Sequence, residues 1–184
     1  RMFDVKTSQT KNDGQSKALY ELAILFQYPD QDFARKLEET SLLIGSAAMA
    51  KAKESLSQYS LSQLEEIYTR TFDVAPLAAP YLSAYIYGDE NFDRGALLSK
   101  LATRFQEVGF DFGQELPDHL TCLLKSASYL EPIEFEELVE FVFTPALKEM
   151  YDRLKDCESP YAPLMEVVRQ VLAAKALPLS VSRP

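Results

Sequence analysis

"SKALYELAILFQYPD", residues 16–30, decides how this chain is read. Leu19, Leu22, Ala23 and Phe26 stand at i, i+3, i+4 and i+7, which is one face of an α-helix. Ser16 is placed to cap that helix. Tyr28-Pro29-Asp30 ends it, because the residue before a proline avoids helical angles. Asp30 can then cap the next helix. A helix with one apolar face must bury it against another layer, so the remaining sequence has to supply either helices or a sheet.

It supplies helices. "SLLIGSAAMAKAKESLSQYS" (41–60) reads as a further, weaker helix. Ser60 and Gln63 have the spacing of a capping box, and Leu61, Leu64, Ile67, Tyr68 and Phe72 form the face behind it. "VAPLAAPYLSAYIYGDENFDRG" (74–95) is broken by two prolines and then gathers tyrosines, predicting a short helix over 79–86 and a loop. A long helix follows from Asp93 to Val108, with Leu97, Leu101, Phe105 and Val108 inward and Gly109 as its stop. Residues 110–117 read as a loop, and Asp118 as the cap of a helix to Leu130. Pro132 opens another helix at a favoured first-turn position. Pro145 must kink or break it, after which Leu147, Met150, Tyr151 and Leu154 resume helical spacing. Ser159 is placed to cap the last helix, with Leu164, Val167, Val168, Val171 and Leu172 inward. Period-2 alternation long enough for a sheet is missing. The expected fold is therefore all-α: a single globular, bundle-like domain of about eight to ten helices. Residues 16–176 form that domain, 1–15 are expected to be a flexible polar segment, and 177–184 a frayed tail.

Bulk composition narrows the function. Hydrophobic residues make up 47% of the 184, enough for a full core. The net charge of −9 and a pI near 4.7 disfavour nucleic acid and anionic lipid as partners; a basic peptide would be steered toward this surface, but many soluble proteins are simply acidic and charge alone does not choose between the two. No apolar run approaches the roughly 20 residues of a membrane span, so no membrane insertion is expected. The polar first residues lack the apolar core of a signal peptide. Cys122 and Cys157 form no C-x-x-C and read as free thiols in a reducing compartment, so a cytoplasmic location is expected.

Chemistry-bearing motifs are scarce. No phosphate-binding glycine loop, nucleophile elbow or H-E-x-x-H helix is present. "GQELPDHLTC" (113–122) holds the single histidine, His119, beside Asp118. Neighbouring residues on a helix point apart, so these two do not make a base-and-orienter pair. His119 and Cys122, three apart, give two metal ligands at best. Catalytic residues, a metal and a cofactor are all expected to be absent. Five glutamates in "EPIEFEELVE" (131–140) read first as a solvated face, and second as an attractor for arginines.

Four segments in order resemble a known family. "LAILFQYPD" (22–30), "YTRTFD" (68–73), "YLSAYIYGDENFDRG" (81–95) and "ELPDHL" (115–120), with a weaker match at "SPYAPL" (159–164), look like the TorD/DmsD/NarJ molybdoenzyme maturation chaperones. The Tyr-Pro-Asp and Gly-Asp…Arg-Gly elements are most similar to the nitrate reductase delta-subunit branch. One departure stands out: after "ELPDHL", Lys125 takes a slot where the family often carries an acid.

The resemblance implies a chaperone that binds the N-terminal peptide of a molybdoenzyme catalytic subunit. It would hold that apo-subunit for molybdenum cofactor insertion, with cofactor-insertion proteins as further partners. It also implies a peptide-binding or hinge set: Tyr81, Tyr85, Tyr87, Asp89, Arg94, Glu115, Leu116, Pro117, Asp118 and His119. In that picture the tyrosines line a groove, and Asp89, Glu115, Asp118 and the 131–140 glutamates form its acidic rim. Two other classes compete: a structural subunit retained in a redox complex, and a small helical hydrolase using His119.

Overall fold

Helix α1 runs from Val5 to Leu25 and forms the axis of the molecule. The computed structural model describes residues 5–88 and 91–175; Asp89 and the expected frayed tail at 177–184 lie outside the described residues. The predicted face holds: Leu19, Leu22, Ala23 and Leu25 are inaccessible to solvent and Phe26 nearly so. Ser16, however, is inside α1 and caps nothing. Its hydroxyl donates to the Ala127 carbonyl and accepts from Lys175, tying α1 to two distant parts of the chain.

Asp30 also serves a turn rather than a helix start. Its carboxylate accepts the Asp32 N–H and pairs with Lys36, and α2 begins at Phe33 and runs to Ile44. The weak helix expected over 41–60 divides at Gly45. That glycine takes the left-handed conformation (φ 61°) that closes α2, and Ser46 then caps α3, Ala47–Leu56, by accepting the Met49 N–H. Ser60 and Gln63 make the expected capping box at α4, Leu61–Tyr68. A π-helical turn, Thr69–Asp73, extends α4 and seats Phe72 in the core.

The short helix is smaller than expected: α5 covers Ala84–Tyr87. Helix α6, Phe92–Glu107, buries Leu101 and Phe105 and stops ahead of Gly109 at φ 72°. Helix α7, Leu120–Lys125, continues into a 3-10 turn over Ser126–Ser128. Leu120 to Leu124 are all buried, as befits a helix apolar on every side, and α7 packs directly on α1.

Helices α8, Pro132–Leu138, and α9, Thr144–Asp156, are one continuous rod. The break forced by Pro145 takes the form of a π-helical turn over Val139–Phe143. Proline has no N–H to give and its ring clashes with the carbonyl four residues back. Widening the turn relieves both constraints, and the Val139 carbonyl accepts from the Thr144 N–H and from its hydroxyl at 2.7 Å. Helix α10, Ala162–Lys175, packs on α1, α3 and α9. The architecture is all-α, with ten α-helical segments and no strand among the described residues. No helix among them is long and apolar enough to cross a membrane.

Candidate functional site

A single two-residue bridge is the one piece of extended pairing among the described residues, and it joins the tyrosine segment to the "ELPDH" loop. Tyr81 and His119 pair antiparallel: the Leu82 N–H donates to the Asp118 carbonyl at 3.0 Å, and the Leu120 N–H to the Pro80 carbonyl at 2.7 Å. The tyrosine segment and the "ELPDH" loop, over thirty residues apart in sequence, are thus clamped back to back. Helix α7 leaves this bridge straight into the core, so the loop is anchored to α1 through a buried helix.

Asp118 is completely buried, and it is not the helix cap expected of it. Its Oδ2 accepts the Ser83 N–H at 3.2 Å and the Ser83 hydroxyl at 2.5 Å. Arg94 completes the group: its Nε donates to Ser83 Oγ at 2.9 Å, and its guanidinium lies 3.6 Å from Asp118 Oδ2. A buried carboxylate is tolerated only with such a charge partner and such donors. Three parts of the chain therefore meet at one side chain: the loop, the residues preceding α5, and the first turn of α6. Ser83 is the member that sequence reasoning missed, and no local pattern singles it out.

The cap of α7 is His119. Its Nδ1 accepts the Thr121 N–H at 3.2 Å and lies 2.7 Å from the Thr121 hydroxyl. That role needs the Nδ1 lone pair, hence a neutral ring. Burial in turn holds the His119 pKa below its ordinary value, outweighing the upward pull of Glu115 and Asp118; Lys125 adds a small push downward. The Tyr81 ring stands edge-on to the imidazole at 5.3 Å, and its hydroxyl donates to Glu115 at 3.1 Å. Burial, then the Glu115 charge, raises the Tyr81 pKa.

Asp118 and His119 thus face different partners, and neither is aimed at a nucleophile. Cys122, one helical turn along, is pushed up to about 11 by burial, so its thiol stays protonated. Among the described residues no group of three histidine, cysteine, aspartate or glutamate side chains is placed to hold a metal ion.

The other expected members lie at the edge of this junction or away from it. Pro117 is buried and Leu116 exposed. Tyr85 is half-buried, with its hydroxyl on the Ala79 carbonyl and its ring under Arg153 at 5.3 Å, so it braces the fold. Tyr87 is exposed at the end of α5. Lys125, the residue at the family's acidic slot, sits over the Tyr20 ring of α1 at 5.6 Å. Of the 131–140 glutamates, Glu134 is held by Arg104 of α6 at 2.7 Å.

An open groove of about 580 Å³ lies elsewhere, between the α8–α9 rod and α10. Its walls are Val139, Phe143, Leu147 and Leu172, and Glu136 and Glu140 stand on its rod side.

The comparisons with known proteins agree with the family resemblance. The chain is similar in structure to a candidate redox enzyme maturation protein from Archaeoglobus fulgidus, at TM-score 0.63 and 22% identity over 86% of this chain and 93% of that one. No curated protein sequence matches it. The family model described as nitrate reductase delta subunit matches residues 30–166, which include the Tyr81 segment, Arg94 and the whole of "ELPDH". The chain belongs to the nitrate reductase delta-subunit family.

Proposed function

We propose that this chain binds the N-terminal peptide of a molybdoenzyme catalytic subunit and holds the apo-subunit for molybdenum cofactor insertion. The observation that carries the reading is the junction. Tyr81, Arg94, Glu115, Asp118 and His119 come from separate segments and meet through one bridge and one buried carboxylate. Most of the polar contacts there tie the loop to the segments around it, which is what a hinge or a recognition platform requires and a hydrolase does not. The acidic surface complements the basic residues of an amphipathic client peptide. Client occupancy is then coupled to loop geometry, because moving "ELPDH" strains α7 and, through it, α1.

The test is calorimetric titration of the N-terminal peptide, roughly 30 residues, of a molybdoenzyme catalytic subunit from the same organism. Saturable 1:1 binding supports the reading, and absence of binding sinks it. The coupling is tested separately: alanine at Asp118 and at His119 that changes neither peptide affinity nor maturation of the client removes it. Stable retention of the chain in the mature enzyme would favour a structural subunit instead.

A further inference from the structure

We infer that α6 and the loop behind it, residues 92–112, form a strap that lifts as one unit while the rest of the chain stays folded, and that its lifting uncovers the buried side of the Tyr81–His119 junction. This concerns how the junction is released, and it stands apart from what segment the chain binds.

Burial sets the strap apart. Helix α6 has 16 residues and buries two of them, Leu101 and Phe105. Helix α10, with 14, buries six. Phe105 is fully inside, yet the rings it meets, Phe110 at 5.0 Å and Phe112 at 5.8 Å, belong to the loop that follows α6. The largest apolar side chain of the helix therefore keeps its partners when helix and loop move together. Gly113 closes the unit at φ 70°, a conformation open to glycine and strained for other residues. Segments with little apolar surface tied into the core are the ones that open below the free energy of global unfolding.

Polar fastenings do much of the holding, one near each end of α6. At its start, Arg94 gives Nε to Ser83 Oγ at 2.9 Å, and its guanidinium lies 3.6 Å from Asp118. In its last turn, Arg104 reaches Glu134 of α8 through two contacts, at 2.7 and 3.0 Å. The two clasps differ in kind. Asp118 is fully buried, so salt barely touches the inner one. The Arg104 and Glu134 side chains are 37% and 33% exposed, so the outer one is screened. Two lighter ties complete the closure: the Phe110 ring lies 5.0 Å from that of Tyr129, and the Cys122 thiol donates to the Phe112 carbonyl at 3.8 Å. Ser83, Asp118 and Cys122, which these ties touch, are all buried. Lifting α6 takes Arg94 away from Asp118, and an exposed or weakened buried pair loosens the "ELPDH" loop that carries it. The outer clasp sets how often that happens.

Cys122 is a built-in reporter, because its thiol is held under the strap by the Phe112 carbonyl. The full chain carrying Cys157→Ser, which removes the exposed thiol, is treated with N-ethylmaleimide, and labelling of Cys122 is followed by mass spectrometry in urea below the unfolding transition. The labelling rate should rise with urea on a slope well below that of global unfolding, since a local opening exposes little surface. Adding Arg104→Gln should speed labelling about two- to fivefold, the scale of a partly exposed ion pair. Salt should speed labelling of the Cys157→Ser parent and change the Arg104→Gln protein less. Hydrogen exchange should show α6 taking up deuterium ahead of α1 and α10, and sooner still in the Arg104→Gln protein.

A Cys122 labelling rate that follows the urea slope of global unfolding overturns the proposal, since the thiol is then reached only when the whole chain unfolds. Exchange of α6 in step with α1 and α10 overturns it too. So does an Arg104→Gln protein that labels no faster than its parent, because the outer clasp would then not be what closes the strap. If Arg104→Gln does not fold, the urea slope, salt response and exchange pattern of the parent decide the matter. No client peptide enters these measurements, so a peptide that fails to bind removes the proposed function and leaves the strap standing, and the reverse holds equally.

Discussion

The Tyr81–His119 junction and the α8–α9/α10 groove use charge in opposite ways. At the junction the polar groups hold one another: Asp118 with Ser83 and Arg94, and His119 with Thr121, in the interior, and Tyr81 with Glu115 at the surface. At the groove, two glutamates face an apolar channel with no cation assigned to them among the described residues. The first region has spent its electrostatics on its own stability. The second has left them available.

The contrast breaks most easily at Asp118. Replacing it with alanine leaves Arg94 and the Ser83 donors partly desolvated around a lost charge. Breaking a buried pair this way costs about 3–5 kcal/mol. Urea unfolding of Asp118→Ala should show a loss of that size, and a loss under 1 kcal/mol would mean that the network contributes little. Asp118→Asn, which keeps an acceptor toward Ser83, should cost less.

His119 sharpens the comparison through pH. Its Nδ1 caps α7, and His119→Ala should cost about 1 kcal/mol, the usual value of an N-cap. Because burial holds its folded pKa below the unfolded value of 6.5, the fold favours the neutral ring. The stability this contributes is complete above the unfolded pKa and is lost as pH falls toward the lower, folded one. The urea midpoint should therefore drop between pH 7.5 and 5.5. His119→Asn keeps a capping oxygen and cannot titrate, so its midpoint should drop less. Equal drops in the two proteins would remove His119 as the source.

How far the sequence reveals these regions follows from how local their causes are. The face of α1, the Ser60–Gln63 box, the Gly109 stop and the Pro132 start are set within a few residues, and each is legible. Ser16 and Asp118 both look like caps and are not, because partners far along the chain outbid the nearest backbone: Ala127 and Lys175 for one, Ser83 and Arg94 for the other. With Asp118 drawn inward, the cap of α7 passes to the next residue. The Tyr81–His119 bridge leaves no mark on either segment alone; only the resemblance to a family puts them on one list. Pro145 announces a break, but nothing in the sequence says that the rod will widen into a π turn and continue.

Tyr81→Phe is a gentler probe of the junction. It keeps the ring against His119 and removes one half-exposed hydrogen bond to Glu115, so it should cost about 0.5 kcal/mol. A loss several times larger in the urea midpoint would show that Glu115 is integral to the frame rather than free to meet a client.

The smallest effect, and the one with the opposite sign, belongs to the groove. Glu140→Gln removes one of two neighbouring like charges while leaving the side-chain shape. Relief of that repulsion should raise stability by about 0.2–0.5 kcal/mol, the scale of an i,i+4 charge pair on a helix. The gain should shrink in high salt, since Glu140 is exposed and Glu136 only partly buried, within reach of screening ions. If Glu140→Gln destabilises the chain instead, Glu140 has an unseen role in the fold, and the difference between the two regions disappears at that position.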